Sequence, residues 1–367
     1  MKSTTLVLRL LVLGLVWAVP GLLRSAEPAY SFKRGVNISH WISQNEGSEI
    51  FANPAYFNES DVAWIAAHGF DHIRLPVDVR ECLAADGTLD EAKLKPIADT
   101  IAWARARGLG LVLDAHFLPG ADFNSVGGDK RVYTDAALME KVAGVWRDLA
   151  RRFAKEDDGV RFEILNEPVA DKNEQLNPFM HRMLAAIRES NPTRIVYVTS
   201  NKWSQFSTVP DVVLPDDKYI ALTIHNYQPM VFTHQRAPWA GFDRTMPAVT
   251  FPGVVPDLTG HVDRPHPEFG KPGDKLTVEQ VQAPFEKVAA WVATHRPGLE
   301  VYVGEFGVFY PADAASKRNW LGTIVHECEK RGWSWAVWDY KDSFGVRGRD
   351  GNGTAVLEGL FPNSGAK

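Results

Sequence analysis

Two glutamates stand out for the chemistry they could perform together. Glu167 lies in Ile164-Leu165-Asn166-Glu167-Pro168 and Glu305 in Gly304-Glu305-Phe306-Gly307, each just after a short apolar run. Paired carboxyl groups across a cleft are what glycosidic bond cleavage requires: one donates a proton to the leaving oxygen and needs a raised pKa, while the other stays ionised against the positive charge developing at the anomeric carbon. Further polar groups follow other apolar runs, in Ile73-Arg74-Leu75-Pro76, Leu113-Asp114-Ala115-His116, His225-Asn226-Tyr227 and Ala336-Val337-Trp338-Asp339. Arg74 and Tyr227 suit the ionised carboxylate, since a nearby cation and a hydroxyl donor both favour its charged form. His116, His225 and Asn166 can hydrogen-bond sugar hydroxyls, and Trp338 offers a flat apolar floor for a sugar ring. Taken singly, each has an ordinary reading as an ion-pair partner, a satisfied histidine or a core tryptophan. The functional reading rests on their falling together, in order, at the ends of successive apolar runs.

Those runs alternate with stretches of helical period, which is the signature of a parallel sheet with crossover helices. The pattern predicts strands over Gly35–Ile38, Phe70–Leu75, Gly110–Ala115, Val160–Leu165, Ile195–Thr199, Tyr219–Ile224, Leu299–Gly304 and Trp333–Trp338. It predicts helices over Ser60–His68, Asp90–Arg107, Asp135–Ala154, Gln175–Ser190, Thr277–His295 and Ala314–Arg331, with Thr277 to Gln280 as a capping box. Eight such units make a single α/β (β/α)8 barrel, in which catalytic groups project from the C-terminal strand ends. Two connections depart from the pattern. Between Ser200 and Lys218 the helix is weak or very short, and Pro229 to Leu276 is a long segment rich in Pro, Gly and Asp, read as a cleft wall. Glu163 shares the inward side of its strand with Leu165 and Glu167 and is read as structural.

The chain has 367 residues, and 40 Lys and Arg against 45 Asp and Glu give a net charge of -5, which leaves no basic footprint for nucleic acid or an anionic membrane. Twelve Trp fit either core filling or sugar platforms. The apolar run from Leu6 to Val19, after Lys2 and before Pro20-Gly21, has the shape of a signal peptide over residues 1–26, with a mature catalytic domain over 27–367 and a secreted or periplasmic destination. Cys82 and Cys328 form no disulfide framework and are read as unpaired. No Cys/His cluster has zinc spacing, so neither a metal nor a cofactor is expected in the chemistry. A metal-dependent barrel hydrolase, with Asp114, His116 and His225 as ligands, would leave the paired glutamates unexplained.

Arg74, His116, Asn166, Glu167, His225, Tyr227, Glu305 and Trp338 together resemble the eight-residue set of glycoside hydrolase family 5, with Asn166-Glu167-Pro168 the most distinctive piece. The match extends from Arg34-Gly35-Val36-Asn37 to Trp338. The resemblance implies a retaining β-glycosidase with Glu167 as acid/base and Glu305 as nucleophile. It also implies a β-linked polysaccharide as partner, most simply a β-1,4-glucan cut internally by a monomeric enzyme. Mannan, xyloglucan and β-1,3-glucan are the alternatives, and a non-catalytic sugar-binding barrel is a remote one. The opening Gly35-Val36-Asn37-Ile38-Ser39-His40-Trp41 resembles the family's first strand, which would place His40 and Trp41 against a sugar one subsite from the cleavage point, with Asn37 beside them.

Overall fold

The computed structural model describes residues 30–44, 51–123, 128–263 and 270–362. The leader expected over residues 1–26 lies outside the described residues. In chain order the strands are β1 (Arg34–Asn37), β2 (His72–Asp78), β3 (Gly110–Phe117), β4 (Val160–Glu163), β5 (Val196–Thr199), β6 (Ile220–His225), β7 (Gly253–Val254), β8 (Lys275–Leu276), β9 (Glu300–Glu305) and β10 (Ser334–Val337). The helices are α1 (Glu59–Ala67), α2 (Glu91–Arg105), α3 (Ala136–Arg152), α4 (Leu176–Arg188), α6 (Met230–Thr233), α7 (Val278–His295), α8 (Ala314–Lys330) and α9 (Ala355–Leu360), and α5 (Asn201–Ser204) is a single turn whose Lys202, Trp203 and Ser204 are left-handed rather than α-helical. Eight strands close into one parallel barrel in the order β1-β10-β9-β6-β5-β4-β3-β2. All eight expected strands and all six expected helices are present, with ends shifted by a few residues.

Helices cover the outside of the sheet and side chains fill its inside, so even Arg74, Asp114 and His116 are buried along with the apolar residues of β2 and β3. Phe32, Val112, Tyr197, Ala221, Tyr302 and Ala336 form a cluster of their own inside the barrel. Above it the interior turns polar, towards the C-terminal mouth. Helix starts follow the sequence: Asn58, Asp90, Asp135 and Asp313 accept N–H groups of the first turn. The expected capping box forms, with Gln280 N–H donating to Thr277 Oγ1 at 3.4 Å and Thr277 N–H to Gln280 Oε1 at 3.0 Å. Cys82 and Cys328 are both buried and free.

The described part of the stretch from Pro229 to Leu276, residues 229–263 and 270–276, is more ordered than its composition suggests. It carries α6 and the antiparallel pair β7–β8, and Val231, Phe232, Phe242, Met246, Val249, Phe251 and Val255 join the main core. Its Phe251 N–H donates to Ser316 Oγ on α8 at 2.9 Å. Burial of irregularly spaced apolar residues, hidden among the Pro and Gly, makes it a packed flank of the barrel. Among the described residues, no helix is long and apolar enough to cross a membrane.

Candidate active site

Glycine spacing explains the local sequence around Glu305. A Cβ on Gly304 would lie 2.7 Å from Thr223 Oγ1 and 3.1 Å from His225 Nε2, and one on Gly307 only 2.2 Å from the Trp338 carbonyl oxygen. The end of β9 is thus pressed between β6 and β10, and only glycine permits that approach. Glu305 is the residue left to carry a side chain into the mouth.

Arg74 organises the mouth from beneath. Its guanidinium is fully buried, with Nε and Nη2 making a two-point bond to Glu163 at 2.8 and 2.9 Å. Nη1 donates to Glu305 Oε1 at 2.7 Å and to Asn37 Oδ1 at 2.8 Å. Nη2 also donates to Asn166 Oδ1 at 2.8 Å and lies 3.1 Å from Asp114 Oδ2. A planar fork of five donors meets such a set where lysine could not. Burial pushes the Asp114 and Glu163 carboxyls up to about 7, against the pull of Arg74.

The two glutamates have unlike surroundings. Glu305 takes Arg74 on one oxygen and the Tyr227 hydroxyl, at 3.0 Å, on the other. Glu167 has neither; its Oε1 lies 2.8 Å from His225 Nδ1. Burial drives the Glu167 carboxyl well above the usual range and the neighbouring Glu305 charge drives it further. Burial also raises Glu305, but Arg74 pulls it back, followed by smaller contributions that include the Tyr227 hydroxyl. Of the pair, Glu305 therefore loses its proton first. Burial keeps the His225 ring neutral and holds the Tyr227 phenol protonated as a donor. One oxygen of each glutamate and His225 Nδ1 lie within 4.8 Å of one another. That is close to the ~5–5.5 Å of direct attack and short of the ~6.5–9.5 Å needed to admit a water between the carboxyls.

His116 Nδ1 sits 2.7 Å from Asp114 Oδ2, and burial lowers the ring to about 3, so the neutral ring donates from Nδ1 and leaves Nε2 as an acceptor, 3.5 Å from Asn166 Nδ2. The His116 ring stacks on Trp338, with centroids 5.7 Å apart and planes 10° from parallel. His40 stands edge-on to Trp338 at 6.3 Å, with Nδ1 3.7 Å from Asp342 Oδ2. The structure therefore gathers Arg74, His116, Asn166, Glu167, His225, Tyr227, Glu305, Trp338 and His40 at one mouth.

Two expectations are corrected, for Trp41 and Asn37, and the Trp338 floor proves more covered than expected. Trp41 does not reach the mouth: it is 2% exposed, its ring packs on Phe57 at 4.9 Å, and its indole N–H donates to the Asn53 carbonyl at 3.1 Å. Its neighbour His40 takes φ 57°, which turns the chain so that the tryptophan enters the core. Asn37 is fully buried and occupied, donating to the Gly304 and Val337 carbonyls and accepting from Arg74, so it braces the site rather than meeting a sugar. Trp338 is 6% exposed and shares a cluster with Ala237, Phe309 and Phe344, which makes it a largely covered floor. The sequence reading missed three aromatics that stay exposed, Trp203 (36%), Trp239 (63%) and Tyr310 (64%), which follow the C-terminal ends of β5, β6 and β9.

Two groups of described residues have cation-ligand spacing, Glu167 with His225 and Glu305, and His40 with Asp339 and Asp342. In the first, the Arg74 guanidinium already bonds Glu305. A groove lined by Phe32, Arg161, Glu300 and Ser334 lies at the opposite, N-terminal end of the barrel and has Glu300 as its one acidic lining residue.

A parallel eight-stranded barrel with two close glutamates at the ends of its fourth and seventh barrel strands, β4 and β9, defines a glycosidase of the double-displacement type. The chain belongs to the cellulase family, glycosyl hydrolase family 5, whose family model matches residues 34–344. It is 31% identical to Endoglucanase C of Acetivibrio thermocellus over 319 residues, 85% of this chain and 92% of that protein. Cellodextrinase A of Ruminococcus flavefaciens is 28% identical over 82% of each chain. Among solved structures, the cellulose synthase subunit Z of Clostridioides difficile superposes with a TM-score of 0.72 at 25% identity, covering 90% of this chain and 99% of that one. Endoglucanase Cel5A of Thermotoga maritima does so at 0.73 and 24% identity, covering 90% and 97%.

Proposed function

We propose that the protein is a retaining endo-β-1,4-glucanase in which Glu305 is the nucleophile and Glu167 the acid/base. The observation that carries the assignment is the unequal environment of the two carboxyls: Arg74 and Tyr227 bond Glu305, whereas Glu167 has only a neutral histidine and a neighbouring negative charge. Glu305 attacks the anomeric carbon while Glu167 protonates the departing oxygen, and a glycosyl ester forms on Glu305. Having given its proton to the departing oxygen, Glu167 is ionised, and esterification removes the Glu305 charge that raised its pKa, so it stays ionised and takes the proton of the attacking water in the second step. Asn166, His116 and His225 surround the reacting sugar, and Trp338 with His116 forms its floor.

Internal cleavage is supported by the curated relative named an endoglucanase and by three exposed aromatics around the mouth, which suit a chain longer than one sugar. Export is supported by the basic start and apolar run of residues 1–19.

Azide rescue tests the assignment. Glu167→Ala should retain glycosylation on an activated aryl cellobioside, stall as the glycosyl-enzyme and turn over with azide to a β-glycosyl azide. Glu305→Ala should give the α-azide. Opposite anomers would reverse the roles, and full activity in both variants would remove the catalytic reading.

A further inference from the structure

Glu167 lies beyond the reach of the barrel's own ladder. The β4–β5 pairing covers Phe162 and Glu163, and the last regular support is Ile164 N–H to the Tyr197 carbonyl at 3.2 Å. On the β3 side, Asn166 N–H reaches the Ala115 carbonyl at 3.2 Å. From there the backbone carrying the acid/base needs another anchor on its β5 side.

That anchor comes from the turn after β5. Lys202, Trp203 and Ser204 are three successive non-glycine residues in the left-handed region, at φ 53°, 61° and 56°. Each Cβ crowds its own backbone there, and such runs persist only where the surroundings over-determine them. Here the surroundings are the segment that bears Glu167. Ser204 Oγ donates to the Asn166 carbonyl at 2.7 Å, and Trp203 N–H donates to the Pro168 carbonyl at 3.1 Å. Asn201, one residue earlier, accepts from Ala170 N–H and donates to the Ala170 carbonyl, both at 2.9 Å. The Thr199 hydroxyl lies 2.8 Å from Ser204 Oγ, and Trp203 Nε1 donates to the Phe123 carbonyl at 3.0 Å. Asn201 and Ser204 are buried. The left-handed turn is what allows one short segment to present a hydroxyl to residue 166, an N–H to residue 168 and an amide to residue 170.

We propose that the Asn201–Ser204 turn is a positioning device for the acid/base, with Ser204 as the positioning residue that fixes the peptide on the N-terminal side of Glu167. The inference rests on the reading of Glu167 as acid/base. Without the Ser204 hydroxyl, the Asn166 carbonyl loses a buried partner and the Glu167 carboxyl drifts from the departing oxygen, while Glu305, held by Arg74 and Tyr227, stays in place.

The consequence is selective for leaving groups, because proton donation matters only when the departing alcohol is a poor one. The test compares kcat/KM across aryl cellobiosides from 2,4-dinitrophenyl to phenyl, and on cellotetraose, for Ser204→Gly, Ser204→Ala and Glu167→Ala. Glycine fits φ 56° without a Cβ and alanine keeps the Cβ, so agreement between the two isolates the hydroxyl. Both Ser204 variants should keep the dinitrophenyl rate and lose about tenfold on phenyl cellobioside and cellotetraose, a fraction of the roughly 10²–10⁴-fold that a positioned acid supplies. Retained dinitrophenyl activity also shows that the variants are folded. Equal loss on every substrate, or no loss on any, would overturn the positioning role. If Glu167→Ala itself shows no dependence on the leaving group, the acid/base reading fails instead; if it does and the Ser204 variants do not, only the present inference fails.

Discussion

Glu167 and Glu305 titrate against each other, so the charge on one sets the proton affinity of the other. In the proposed mechanism Glu305 must be ionised and Glu167 protonated, which predicts a bell-shaped pH profile with its acid limb from Glu305 and its alkaline limb from Glu167. Glu305→Gln deletes the charge that helps raise Glu167. The Glu167 pKa, followed by carboxyl carbon NMR, should therefore fall in that variant; an unchanged value would mean that burial alone sets it. The same raised pKa has a stability cost with a definite sign. A carboxyl whose folded pKa exceeds its unfolded value, about 4.3 for glutamate, holds its proton more tightly when folded, and that contribution is lost as pH rises through the folded value. Glu167→Gln should thus melt higher than the parent near pH 8, with the gap closing near pH 4, while losing hydrolysis of cellulose. Trp338 answers a different question. As a covered floor rather than an open platform, its replacement by Ala should remove turnover and also cost about 3–5 kcal/mol of stability by denaturant titration, the range for core Trp truncations.

Loops after the strands decide how much of a polysaccharide the mouth can hold. Trp239, on the segment after β6, packs edge-on to Phe309 at 4.7 Å, and Phe309 in turn meets Tyr310 at 4.6 Å and shares the cluster of Trp338. A row of rings running outward from the floor suits further sugars of a chain. Trp239→Ala should raise KM on soluble cellulose derivatives several-fold and leave kcat/KM on an aryl cellobioside unchanged; equal effects on both would detach that row from substrate binding. At this scale the sequence was informative where one physical pattern dominated. Buried β-branched runs marked the strands, and a polar residue after such a run marked a mouth residue, which is how Glu167 and Glu305 could be paired across 137 intervening residues. Trp41 was misplaced because a single left-handed residue, His40, redirects the chain, and nothing in Ser39-His40-Trp41 announces it. The Lys202-Trp203-Ser204 turn was equally hidden, since it lacks the glycine by which left-handed backbone is usually recognised. The insertion's order was obscured because its apolar residues are irregularly spaced and pack without regular period.

The barrel as a whole closes around the buried cation of Arg74. Arg74 on β2 reaches Asn37 on β1, Asp114 on β3, Glu163 on β4 and Glu305 on β9, so one side chain ties five strands across the interior. The arrangement is short of positive charge, and burial holds Asp114 and Glu163 at about 7 even with the guanidinium present. Both folded values lie above the unfolded ones, so the folded state takes up protons, and stability is greatest below about pH 4 for these groups and declines as pH rises through about 7. Arg74→Met fills the same space without the charge. It leaves the carboxyls buried with no cation, which should raise their pKa values further and cost about 3–5 kcal/mol at pH 8, where they must ionise or fold protonated. Near pH 5 most of that loss should be recovered, because the neutral acids can bond one another and the asparagines. Denaturant titrations of parent and variant at the two pH values measure this directly. A loss of the same size at both would mean that Arg74 stabilises the barrel by packing and hydrogen bonding rather than by balancing its buried acids.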